Sequence, residues 1–111
     1  MLITRELTDV VVVAVPGPSL DASNSRNFKK EMTRAVETAM NMVWDMSQVQ
    51  FVDSSGLGAI VSCLKQLNAK GGDLRICGLS KGVRTLFELV RLHRVVEIYN
   101  TREEALSAFG G

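Results

Sequence analysis

Long apolar runs, blocks of like charge and metal-spaced cysteines are all missing from this chain of 111 residues. The longest apolar stretch, Val10 to Pro16, is far shorter than the roughly 20 residues that a membrane-spanning helix needs. Thirteen basic and twelve acidic residues are spread along the sequence for a net charge of +1. That balance argues against direct nucleic-acid binding, which calls for a basic block or stripe. The start, MLITRELTD, lacks the positive-then-apolar order of a secretory signal, so a cytoplasmic protein that inserts into no membrane is expected. Cys63 and Cys77 stand in apolar surroundings, outside any CxxC or HxxxC spacing, and read as buried reduced thiols rather than a disulfide or metal site.

Enzymatic signatures are lacking too. There is no GxSxG elbow and no GxxxxGK[ST] phosphate loop, and Gly56-Leu57-Gly58 lacks the rest of a dinucleotide fingerprint. The single histidine, His93, lies among Leu92, Arg94 and Val95 and reads as a surface or edge residue. Neither a catalytic residue nor a cofactor is implied.

What is present is the alternation of an α/β protein. An apolar share of 46% suits an ordinary globular core, and no repeat or linker divides the chain, so residues 1–111 are read as one domain. Leu2-Ile3-Thr4 and Val10 to Val15 read as strands around a turn at Thr8-Asp9. Pro16-Gly17-Pro18 breaks regular structure. Asp21 or Ser23 is expected to cap a helix with the core stripe Phe28, Met32, Ala35, Val36 and Ala39.

Met42 to Met46 suits a strand covered on both faces. Phe51-Val52 reads as a buried strand-like dipeptide before a second helix. That helix runs to about Lys70, with Leu57, Ile60, Val61, Leu64 and Leu67 inward and Gly71-Gly72 as its stop. Leu74 to Cys77 is a strand, and Ser80 caps a third helix carrying Val83, Leu86, Phe87 and Val90. Val95 to Ile98 is a last strand, and Thr101 to Glu104 is a capping box for a final helix through Ala105, Leu106 and Phe109. The order β-β-α-β-α-β-α-β-α predicts a mixed sheet of about five strands, an opening hairpin and four helices. Trp44 and the methionines Met32, Met40, Met42 and Met46 read mainly as core. Lys65, Lys70, Arg84 and Arg91 read as solvated faces.

The stretch Phe51-Val52-Asp53-Ser54-Ser55-Gly56-Leu57-Gly58 is unusual. Asp53 or Ser54 can cap the helix, yet Gly56 and Gly58 each cost about 1 kcal/mol against alanine in a helix interior. Two readings explain them. Either the glycines clear space so that another molecule can reach Ser54, or they pack against a neighbouring strand behind a simple N-cap. Amides exposed at the helix start also favour an anion placed on the serine hydroxyl.

Val43-Trp44-Asp45-Met46-Ser47, then Val49, Phe51 and the DSSGLG string from Asp53 to Gly58, resemble the signature of STAS domains, and specifically of bacterial anti-sigma factor antagonists. Gly17, Leu20-Asp21, Gly71-Gly72-x-Leu74 and Val83 through Leu89 extend the likeness over nearly the whole chain.

The resemblance implies a STAS-type fold and a non-catalytic switch in transcription regulation. A partner that is both anti-sigma factor and serine kinase binds the unphosphorylated protein, which frees the sigma factor. Phosphorylation of Ser54 ends that binding, and a serine phosphatase restores it. Asp21, Asp53, Ser54, Ser55, Gly56, Leu57 and Gly58 would form the partner-binding face of a protein that is a monomer when free. An alternative is an accessory STAS subunit of a membrane transporter or of a stress-signalling complex. Two positions depart from the usual pattern. The Pro16 to Asp21 segment is one residue longer between glycine and aspartate. Arg91 replaces a glycine after the third helix, where a left-handed cap would cost about 1 kcal/mol unless the helix ends differently.

Overall fold

The computed structural model describes residues 2–7 and 10–110. The strands β1 (Leu2–Leu7), β2 (Val10–Ala14), β4 (Asn41–Asp45), β6 (Asp73–Cys77) and β7 (Glu97–Tyr99) form one sheet in that spatial order. β1 and β2 pair antiparallel as the expected opening hairpin, with a register shift between Arg5 and Leu7. The remaining pairs are parallel, with Val12 opposite Val43, Val43 opposite Arg75, and Ile76 opposite Ile98. A second, two-stranded pairing joins β3 (Ser19–Leu20) to β5 (Phe51–Val52). The helices are α1 (Ser25–Thr38), α2 (Ser54–Ala69), α3 (Lys81–Leu89) and α4 (Arg102–Gly110). The five-stranded sheet and the four helices follow the sequence expectation, and β3 and β5 are added to it.

The continuous apolar strands are explained by two cores. Side chains alternate between faces along a strand, so Val11, Val13, Met42, Trp44, Leu74 and Ile76 join one cluster with α1, α2 and α3. Val10, Val12, Val43 and Cys77 point the other way and are covered by Ala105, Leu106 and Phe109 of α4. Trp44 is fully buried and meets the Phe28 ring edge-on at 4.9 Å between centroids, an arrangement worth about 0.5–1.5 kcal/mol beyond area burial. Burial pushes both thiols up, Cys63 and Cys77 each to about 12.

Most local signals act as read. Val83 N–H donates to Ser80 Oγ at 3.3 Å, and Glu104 N–H donates to Thr101 Oγ1 at 3.1 Å. Gly71 adopts φ +85° and Gly72 N–H returns to the Leu67 carbonyl at 2.8 Å, which ends α2. Arg91 does take the left-handed conformation, φ 61° and ψ 25°.

Several expectations need correction. α1 is capped by Asn24 without a side-chain bond, not by Asp21 or Ser23; Asp21 spends its carboxylate on the turn before the helix. β7 begins at Glu97, because Val95 and Val96 close a 3₁₀ turn over Leu92–Arg94. Val90 is half exposed just past the end of α3, and Met40 is 39% exposed while Met32, Met42 and Met46 are buried. Phe51 is 57% exposed, and only Val52 of that pair is buried.

Candidate functional site

Two segments far apart in sequence are tied together at the start of α2. The Pro18 carbonyl accepts from Gln50 N–H at 2.7 Å and from Phe51 N–H at 3.2 Å, and the Leu20 carbonyl accepts from Asp53 N–H at 3.3 Å. This short pairing delivers the turn at Asp21 to the side of Asp53. Asp53 then divides its carboxylate. Oδ1 accepts from Gly56 N–H at 3.0 Å, which caps α2, and Oδ2 accepts from Ala22 N–H at 3.0 Å. Of the two candidate caps, Asp53 is the one used, which leaves the Ser54 hydroxyl out of capping.

Asp21 is satisfied by its own turn. The Ser23 hydroxyl, then the Ser19 hydroxyl, then Ser23 N–H donate to it and hold its carboxyl below the usual range. Its backbone N–H donates to Asn24 Oδ1 at 2.9 Å.

Ser54 and Ser55 are both exposed, and neither hydroxyl makes a hydrogen bond among the described residues. The two glycines part company. Gly56 is buried, and a Cβ there would lie 2.2 Å from the Leu20 carbonyl oxygen, so the packing explanation holds for it. Gly58 is exposed with nothing within 4 Å of a Cβ position. Packing does not account for it. Leu57, half-buried, packs on the core beside them.

Two features flank this helix start that sequence reading missed. The exposed Phe51 ring, with Gly82 and Leu86 of α3, lines a groove of about 310 Å³. A cleft of about 300 Å³ between α1 and α2 is lined by Arg26 and Lys29 on one side and Ser55 and Gly58 on the other. Arg26 and Lys29 gave no signal because charged positions on an amphipathic helix look alike until the neighbouring helix is placed. Among the described residues no cluster of three or more His, Cys, Asp or Glu could hold a metal, and no helix is long and apolar enough to cross a membrane.

A hairpin-led mixed sheet with an Asp-capped helix opening on two exposed serines defines a STAS-type domain. The model of the STAS domain matches residues 1–105, and the chain belongs to that family. The anti-sigma F factor antagonist of Paenibacillus polymyxa is 31% identical over 100 residues, covering 88% of this chain and 85% of that one. The fold is shared with an anti-sigma-factor antagonist (STAS) domain protein from Planctomyces limnophilus, at TM-score 0.90 and 22% identity, over 99% and 97% of the two chains. SpoIIAA of Bacillus has the same fold in both of its solved forms. The unphosphorylated form gives TM-score 0.79 at 21% identity over 99% and 97% of the chains. The phosphorylated form gives 0.76 at 22% over 97% of each.

Proposed function

We propose that this protein is an anti-sigma factor antagonist. It binds a cognate anti-sigma factor with serine kinase activity, releases the sigma factor, and is switched off by phosphorylation of Ser54. The observation that carries this reading is the exposed Ser54 hydroxyl on the first turn of α2, which makes no hydrogen bond among the described residues. Its helix is already capped by Asp53, so the hydroxyl is available to a kinase at no cost to the cap. Gly58, open to solvent one turn on, lets a protein surface approach that hydroxyl.

A phosphate adds about −1.5 to −2 charge and three acceptor oxygens. At a helix N-terminus the dipole contribution favours it by about 0.3–1 kcal/mol, so the domain stays folded. The change falls on the docked partner, through bulk, desolvation and repulsion from partner carboxylates. A serine phosphatase resets the switch. The role is that of a binding switch in transcription, with no catalysis of its own.

The test is incubation with the candidate kinase and ATP, followed by peptide mapping of the phosphate. Ser54→Ala should bind the kinase and gain no phosphate, and Ser54→Asp should bind weakly with its thermal unfolding nearly unchanged. If Ser54→Ala gains phosphate at the wild-type rate by intact mass, the assignment is wrong.

A further inference from the structure

α1 carries four basic residues, Arg26, Lys29, Lys30 and Arg34, against the two acids Glu31 and Glu37. The placement of Arg26 runs against the helix. The first turn of α1 has no acidic residue and holds Arg26 as its second residue, where the positive end of the macrodipole disfavours a cation. Arg26 and Lys29 also face the beginning of α2, a second positive helix end, across the cleft they share with Ser55 and Gly58.

Local neutralisation does not occur. Among the described residues neither Arg26 nor Lys29 forms an ion pair. Of the carboxylates nearby, Asp53 is committed to Gly56 and Ala22, and Asp21 to Ser19 and Ser23. Glu31 lies on the α1 surface with Arg26 and Lys29 but among the described residues forms no ion pair with either. Two exposed cations without an ion pair among the described residues therefore line an open cleft, and one of them, Arg26, stands in a helix turn whose dipole disfavours it.

We propose that the Arg26–Lys29 cleft receives an acidic side chain from the protein that docks over Ser54. Charge decides the sign of the occupant. Continuity decides its source, because Gly58 belongs both to the open surface beside Ser54 and to the wall of the cleft. A protein that covers one covers the other. The cleft is shallow and about 300 Å³, which suits an inserted carboxylate side chain. The inference rests on the partner-binding role proposed for Ser54, and it names the charge of the partner's contact.

The experiment measures binding of the full chain to its cognate anti-sigma factor kinase at about 50 and about 300 mM salt, conditions that differ strongly in screening. Arg26→Gln/Lys29→Gln is compared with wild type and with Ser54→Asp. The double variant should lose about tenfold in affinity at low salt and show a flatter salt dependence. Its thermal midpoint should be unchanged or slightly higher, since unfavourable cations leave a helix start. A charge swap, Arg26→Glu/Lys29→Glu with one partner acid changed to lysine, should recover binding.

Wild-type affinity in the double variant, with Ser54→Asp impaired, would overturn the cleft proposal and leave the role of Ser54 standing. A loss with unchanged salt dependence would overturn it as well. Full binding by Ser54→Asp would remove the Ser54 reading and this inference together.

Discussion

The carboxylate of Asp53 and the backbone N–H of Ala22, 31 positions apart in sequence, meet at 3.0 Å. The same carboxylate caps α2 through Gly56 N–H, so one side chain fixes the turn before α1 to the helix that displays Ser54. Losing an N-cap costs about 0.5–2 kcal/mol. Asp53→Ala should therefore lower stability by about 1–2 kcal/mol in urea denaturation, with faster amide exchange at both Ala22 and Gly56. Asp53→Asn should fall between, because an amide has one acceptor oxygen and keeps only one of the two N–H partners. Equal stability of Asp53→Ala and wild type would show that the link carries no weight.

Gly56 and Gly58 look equivalent in the sequence and are opposite in the structure. A Cβ at Gly56 would press on the Leu20 carbonyl, so Gly56→Ala should destabilise by about 1–3 kcal/mol, the usual range for overpacking. Gly58 has open space around its Cβ position. Gly58→Ala should stabilise α2 by up to about 1 kcal/mol, and Gly58→Leu should weaken the partner complex more than folding. Chemical denaturation beside a binding titration separates the two; equal losses of folding and binding in Gly58→Leu would return that glycine to a packing role.

Much of this architecture was legible because period and burial agree over long elements. The run at Val10 predicted a strand and the run at Met42 a strand covered on both faces, and α4 and the α1–α2 layer cover both of them. The DSSGLG string pointed to the right helix start. What stayed hidden has short or non-local causes. β3 and β5 are two residues each, too brief for alternation to reveal that Phe51 faces out while Val52 faces in. The true start of α1 escaped because Asp21 bonds within its own turn, a competition that Asp and Ser side chains commonly win. The roles of Gly56 and of the Arg26–Lys29 cleft depend on which strand or helix lies opposite, and no local pattern encodes that.

Arg91 holds φ 61° as the residue that leads from α3 into the 3₁₀ turn. A non-glycine side chain in that conformation costs roughly 1–2 kcal/mol. Part of this returns as greater unfolded-chain entropy when glycine is introduced. Arg91→Gly should raise stability by about 0.5–1 kcal/mol in the same denaturation assay, with kinase binding unaffected. A destabilised variant would mean that the exposed guanidinium makes a contact outweighing the backbone strain.

Asp45 lies at the end of β4, where Ser47 N–H donates to Oδ1 and Arg102 Nη2 to Oδ2, both at 3.0 Å. Burial pushes its carboxyl up, but the Ser47 donors and Arg102 more than offset this and leave it below the usual range. A depressed folded-state pKa stabilises the protein at every pH above the unfolded value of about 4, and the contribution fades as pH falls through the folded value. The Asp45→Asn variant keeps an acceptor for Ser47 and loses the ion pair that anchors the start of α4. It should be less stable than wild type by about 1 kcal/mol near neutrality. The gap should narrow below about pH 4, as the wild-type carboxylate takes up its proton. Thermal melts of both proteins from about pH 7 to about pH 3 read this directly, and a gap that persists at the acid end would place the contribution of Asp45 in packing rather than charge.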